Sequence, residues 1–134
     1  MNGQEGGMQI QMKAIVGAGL AAAVLAVAFP AWAYTKGDWV LAKYRNGAYY
    51  FPGIVASQVG DQVTITYDDG DKETLPSNLV KPYNWRIGSR VECNWKGGGE
   101  WYAGRITALG GNTLSIAYDD GDKEKTTTGK CRSR

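Results

Sequence analysis

Tyr67-Asp68-Asp69-Gly70-Asp71-Lys72-Glu73 recurs letter for letter as Tyr118-Asp119-Asp120-Gly121-Asp122-Lys123-Glu124, 118 − 67 = 51 residues further on. A seven-residue match inside a short chain marks an internal repeat. Each copy follows an alternating run, Val63-Thr64-Ile65-Thr66 in the first and Leu114-Ser115-Ile116-Ala117 in the second. Each contains the Asp-Gly pair of a tight hairpin turn. Working outward, residues 36–83 lie over residues 87–134 without a gap. Identical pairs include Gly37/Gly88, Val40/Val91, Gly47/Gly98, Gly53/Gly104, Gly60/Gly111 and Ile65/Ile116. Tyr44/Trp95, Phe51/Tyr102, Val55/Ile106 and Val63/Leu114 keep their chemical type. A unit of about 50 residues is small for a lone domain but workable when two share an interface.

Within a unit the apolar period is two, which predicts strands. In the first they run Trp39–Tyr44, Tyr49–Ser57, Gln62–Tyr67, Lys72–Leu75 and Leu79–Lys81. Turns fall at Asn46-Gly47, at Gly60-Asp61 and at the heptapeptide, with a loop or single helical turn at Pro76-Ser77-Asn78. Val40, Ala42 and Tyr44 share a face, as do Phe51, Gly53 and Val55, and Val63, Ile65 and Tyr67 point inward. Gly53 and Gly104 sit mid-strand, where glycine permits a bend or a close backbone approach. Five short, bent strands per unit predict an all-β chain of two tandem five-stranded SH3-like barrels. They follow an N-terminal hydrophobic segment read as a signal helix.

The second unit decays after Glu124: Thr126, Thr127 and Lys130 stand where Leu75, Pro76 and Leu79 stand in the first. Cys93 aligns with Ala42 on the first strand and Cys131 with Val80 on the last. First and last strands are neighbours in such a barrel, so a Cys93–Cys131 disulfide is expected, with two separate buried thiols as the alternative. The bridge closes a loop of 131 − 93 = 38 residues, which the chain-entropy relation values at about 3–4 kcal/mol. Pro82-Tyr83-Asn84-Trp85-Arg86 between the units is too short and aromatic for a flexible linker, and is expected to pack.

Residues 1–33 differ from the rest. Ala14–Phe29 is apolar and rich in Ala, and Pro30-Ala31-Trp32-Ala33 carries the small-x-small pattern of a signal-peptidase site. The domains read 1–33 signal peptide, 34–83 first barrel, 84–134 second barrel, with the cut after Ala33. The localisation read from this is secreted or periplasmic, without stable membrane association after cleavage. The alternative is an anchor, since Ala14–Ala33 is 33 − 14 + 1 = 20 uncharged residues, enough to cross a bilayer.

The 134 residues hold 15 Lys+Arg, 13 Asp+Glu and no His. Lack of His removes the commonest general base and metal ligand. No nucleophile–base pair or phosphate loop is present, so the chain reads as non-catalytic, without cofactor. Asp69, Asp71 and Glu73 alternate as oxygen ligands do, but the spacing of a calcium loop is absent, and no metal is expected. A net charge of +2 argues against a broad nucleic-acid footprint. Lys36, Lys43, Arg45, Lys81, Arg86, Arg90, Lys96 and Arg105, interleaved with Tyr49, Tyr50 and Trp101, keep weak nucleic-acid binding as an alternative.

Val40-x-Ala42-x-Tyr44, Tyr50-Phe51-Pro52-Gly53-Ile54-Val55, Val63–Glu73 and Pro76–Pro82 together resemble the Tudor family, in a tandem, Agenet-like arrangement. The resemblance spans residues 36–83 and 87–124. It implies an aromatic cage at the ends of the first three strands. The first cage would be Tyr44, Phe51 and Tyr67 with an acid from Asp69 or Asp71. The second would be Trp95, Tyr102 and Tyr118 with Asp120 or Asp122. Ring faces attract a desolvated ammonium or guanidinium, and a rim carboxylate adds charge attraction. The expected partner is therefore a protein or peptide ligand carrying a methylated or other cationic group. Two alternatives stand beside it. Either these aromatics are core and nothing more, or the chain is an envelope adaptor using Tyr50, Trp101 or Trp85 as exposed contacts.

Overall fold

The computed structural model describes residues 33–134; the leader read in residues 1–33 lies, Ala33 aside, outside them. Ten strands follow in order: β1 Trp39–Lys43, β2 Tyr50–Val59, β3 Gln62–Tyr67, β4 Lys72–Pro76, β5 Val80–Pro82, β6 Arg90–Asn94, β7 Trp101–Gly110, β8 Thr113–Tyr118, β9 Lys123–Thr127 and β10 Cys131–Arg132. They form two five-stranded antiparallel sheets, ordered β4-β3-β2-β1-β5 and β10-β6-β7-β8-β9. The second repeats the first position for position.

Each sheet curls round its own core, and two devices allow the curl. The register slips between Val55 and Ser57 in β2 and between Ile106 and Ala108 in β7, a bulge at the same repeat position that sharpens twist. Just before each bulge lies a glycine. A Cβ on Gly104 would stand 2.5 Å from the Ala117 carbonyl oxygen and 2.9 Å from Tyr118 Cα, and one on Gly53 would stand 2.8 Å from the Thr66 oxygen. These two glycines are thus sites of close strand approach.

Alternation sorts the core as expected: Val40, Ala42, Val55, Val63, Ile65, Tyr67, Leu75 and Val80 are buried together. The first strand is shorter than the sequence predicts. Tyr44 leaves it to open a 3-10 turn, Tyr44–Asn46, in which Arg45 and Asn46 take left-handed φ of 52° and 57°. Its counterpart Trp95–Gly97 puts Lys96 at φ 51°. Non-glycine residues resist this region, and the compensating contact is a carboxylate described below.

The second core holds Val91, Cys93, Ile106, Leu114, Ile116, Tyr118 and Cys131, but also Leu41 and Trp85. Leu41 lies on the outward face of β1, and the second unit covers it completely. Trp85, counted among the exposed contacts in the sequence, is instead buried, its Nε1–H donating to Ser133 Oγ at 3.1 Å. Backbone bonds join Ser133 to Tyr50 at the start of β2 in both directions, 2.6 and 3.0 Å. Thr128 Oγ1 donates to Asp68, and Gly129 packs so closely on the Asp68 backbone that a Cβ would stand 2.9 Å from its carbonyl carbon. The last strand of the second unit is brief, and Cys131 sits directly opposite Cys93 with their sulfurs bonded. In β9 Thr126 is half-buried where β4 has the buried Leu75, so the bridge holds an edge that apolar packing holds in the first unit.

Candidate functional site

In both units the hairpin of the heptapeptide does the same work. Gly70 N–H donates to the Tyr67 carbonyl at 2.9 Å with Gly70 at φ 99°, and Gly121 repeats this on Tyr118 at 3.0 Å with φ 101°. Asp69 Oδ1 accepts from the Asp71 N–H at 3.0 Å, and Asp120 Oδ1 from the Asp122 N–H at 2.9 Å, the Asx arrangement that stiffens a turn. The turn returns the chain so that the seventh residue faces the first. Tyr67 Oη donates to Glu73 Oε1 at 2.7 Å, and Tyr118 Oη to Glu124 Oε1 at 2.6 Å.

Those carboxylates also hold the strained turn. Glu73 Oε2 accepts the Arg45 N–H at 3.0 Å, and Glu124 Oε2 the Lys96 N–H at 2.9 Å. One acid per unit therefore ties the end of the third strand to the turn after the first. The rings gather around this tie. In the first unit Tyr44 meets Tyr67 at 5.5 Å and 90°, and Phe51 at 6.0 Å and 74°. In the second, Tyr102 meets Trp95 at 6.4 Å and Tyr118 at 6.5 Å, both at 87°. The structure brings together the three aromatics read for each unit, edge to face.

The two corners differ in openness. Trp95 is 37% and Tyr102 42% exposed, while Tyr118 is buried as the floor. In the first unit Tyr44 and Phe51 are half-buried, and Trp101 from the second unit stacks edge-on against Phe51 at 6.0 Å. Each corner already carries a cation of its own. Lys96 Nζ lies 5.0 Å over the Trp95 ring, and the Arg45 guanidinium 5.3 Å over Tyr44.

Electrostatics follow the geometry. Burial, then the hydrogen bond to Glu73, pushes the Tyr67 hydroxyl well above its ordinary range, and Tyr118 is raised by burial and Glu124 in the same way. Asp69 adds to the rise at Tyr67, and Asp120 to the rise at both Tyr118 and Tyr102. Of the acids read for the cages, Asp69 and Asp120 act on these rings, while the hydroxyls themselves bond to Glu73 and Glu124. In the sequence Glu73 is weighed only as an oxygen ligand, and neither glutamate is read as part of a cage. Their signal was the identity of the seventh letter in both copies.

Several of the basic residues are engaged by rings or acids. Lys43 and Lys81 lie over the Tyr50 ring at 5.4 and 4.2 Å. Arg132 sits between Tyr49 and Trp101, 3.8 and 4.2 Å from their centroids, and pairs with Glu92. Arg90 pairs with Asp119, and Arg105 donates to the Gly88 carbonyl. Among the described residues no group of three or more His, Cys, Asp or Glu converges as a metal site.

A known structure shares this architecture. The tandem tudor domains of Crb2 superpose with a TM-score of 0.52 at 15% identity, over 72% of this chain and 77% of that one. The chain has a tandem Tudor fold. The tandem Agenet domain 3-4 of ADCP1 aligns over 75% of this chain and 79% of its own, with a TM-score of 0.37 and 16% identity. Arabidopsis thaliana AGDP1 AGD34 aligns over 75% and 82%, with a TM-score of 0.38 and 16% identity. No family model matches the sequence, and no curated protein matches it significantly. The ring corners of both units lie at strand ends and turns of this fold.

Proposed function

We propose that this protein is a non-catalytic, exported binding module whose second unit takes a cationic group of a protein or peptide ligand at Trp95, Tyr102 and Tyr118. One observation carries the reading: the ammonium of Lys96 already lies 5.0 Å over Trp95. The ring face accepts a cation in this setting, with Tyr102 perpendicular to Tyr118 beside it and Glu124 and Asp120 supplying negative charge. The more covered corner of Tyr44, Phe51 and Tyr67, with Asp69 at its turn, is the weaker site. Export is supported by the Ala-rich segment before Tyr34 and by the Cys93–Cys131 bridge, which suits an oxidising compartment.

The ligand must displace Lys96 from the indole face. A methylated ammonium does so well, because it sheds water more cheaply than a primary ammonium. Calorimetric titration with methyl-lysine and methyl-arginine peptides and with choline is the test. Trp95→Ala should weaken binding about tenfold, as a cation–π contact of about 1–2 kcal/mol requires, and Lys96→Ala should strengthen it. Silence from all three ligands would sink the proposal.

A further inference from the structure

The repeat is not symmetrical around its identical turns, and the difference exposes a second site. In the second unit Asp119 is held by Arg90 on β6 through two parallel bonds, Nη1 to Oδ1 at 2.9 Å and Nη2 to Oδ2 at 2.7 Å. Arg90 lies directly across the strand pair from Arg105. Moving back 51 residues gives Trp39, Ile54 and Asp68. Trp39 lies across from Ile54 in the same register. The carboxylate is retained, but the guanidinium that satisfies it in the second unit is gone. Two large apolar side chains, 50% and 41% exposed, stand in place of the two arginines.

The place is a cleft. Trp39, Pro52, Ile54 and Tyr83 wall it on the side of the first unit, Asn112 and Thr128 close it from the second, and Asp68 lines it. The cleft is shallow, with a cavity volume of about 50 Å³, and is open to solvent on one side. Tyr83 stands edge-on to Trp39 at 5.6 Å and 90°. The Tyr83 hydroxyl is buried and has no hydrogen-bond partner among the described residues. Thr128 reaches Asp68 through Oδ2, and no bond reaches Oδ1 among the described residues.

We infer that this cleft between the units binds the side chain of an arginine from an extended peptide partner. Its guanidinium takes on Asp68 the place that Arg90 takes on Asp119. Its aliphatic stem lies against Trp39 and Ile54, with the Tyr83 ring behind them. The planar fork of a guanidinium fits a carboxylate with two parallel bonds, which an ammonium does not. The site is separate from the ring corners and does not depend on them.

Titration of isotope-labelled protein with acetyl-Ala-Arg-Ala-amide, followed by NMR, tests this. The Trp39 indole and the amides of Gly53, Ile54 and Asn112 should shift together, and the matching lysine peptide should bind roughly tenfold more weakly. Asp68→Asn should weaken the arginine peptide by a similar factor. Trp39→Arg installs the residue that the second unit carries there, so it should fold normally and abolish binding by satisfying Asp68 from within. Trp95→Ala should leave affinity unchanged, which separates this site from the proposed cage. Shifts confined to Trp95, Tyr102 or Tyr44 would overturn the inference. So would unchanged binding by Asp68→Asn or Trp39→Arg, or equal affinity for the lysine peptide.

Discussion

Glu73 accepts one hydrogen bond from a tyrosine hydroxyl and another from the N–H of a left-handed residue, and Glu124 does the same. This explains why the heptapeptide's last letter matches in both copies. Read by alternation alone, Glu73 and Glu124 look like solvated acids, because a period of two says nothing about what a hairpin folds back onto. Asp69 and Asp120 were legible as turn residues for the opposite reason: an Asx turn is local, and its letters lie two apart. The tyrosines around these acids have an alkaline consequence. Tyr34 and Tyr83 are pushed up to about 12, by burial first and then by Asp38 and Asp68 respectively, and Tyr67 and Tyr118 are also raised. A folded value above the unfolded one favours the neutral hydroxyl in the fold. The stability this contributes is complete below pH of about 10 and is lost as pH climbs through the folded values. Tyrosinate absorbance of the native protein should therefore lag that of the denatured chain above pH of about 10, and the missing rise should arrive together with unfolding. Superimposable titrations of the two states would contradict the burial and bonding described.

At the level of elements, β3 follows the alternation to the residue, while β1 ends one residue early and β2 starts one residue later and ends two residues later than expected. Alternation marks which residues face a core, so β3, flanked by strands on both sides, is the easiest to read. It does not encode the left-handed step at Arg45, which depends on a carboxylate 28 positions away. The mid-strand glycines were legible because glycine has few reasons to sit there. They also yield a sharp test. Gly104→Ala would drive a methyl into the Ala117 carbonyl and Tyr118 Cα, both backbone, neither able to swing aside. The expected cost is about 3 kcal/mol, at the upper end for overpacking. Gly110→Ala, in the same strand, meets Thr113 Oγ1 at an ordinary 3.6 Å and should change stability by less than about 0.5 kcal/mol. Equal urea midpoints for the two variants would remove the close approach as the reason for the glycine.

Across the whole molecule, what one unit's pattern hides is the other unit. Leu41 has solvent parity in its own strand and is fully buried, because the second core extends over β1. No periodicity within β1 reports that cover, although the packed aromatic linker hinted at it. Leu41→Ala should cost about 2–5 kcal/mol, and fluorescence from Trp85 and exchange protection in β3 should fall in one transition. Separate losses would mean that the units do not share this core. The joint also sets an order of events. Leu41 waits for Trp85, Cys131 and the Tyr50–Ser133 pairing, and Ser133 is made 133 − 41 = 92 residues after it. During synthesis Leu41 therefore stays uncovered until the residues around Ser133 have been made. The first unit thus carries on β1 an apolar face that its own sheet does not hide and that only the folding of the second unit puts out of reach of water.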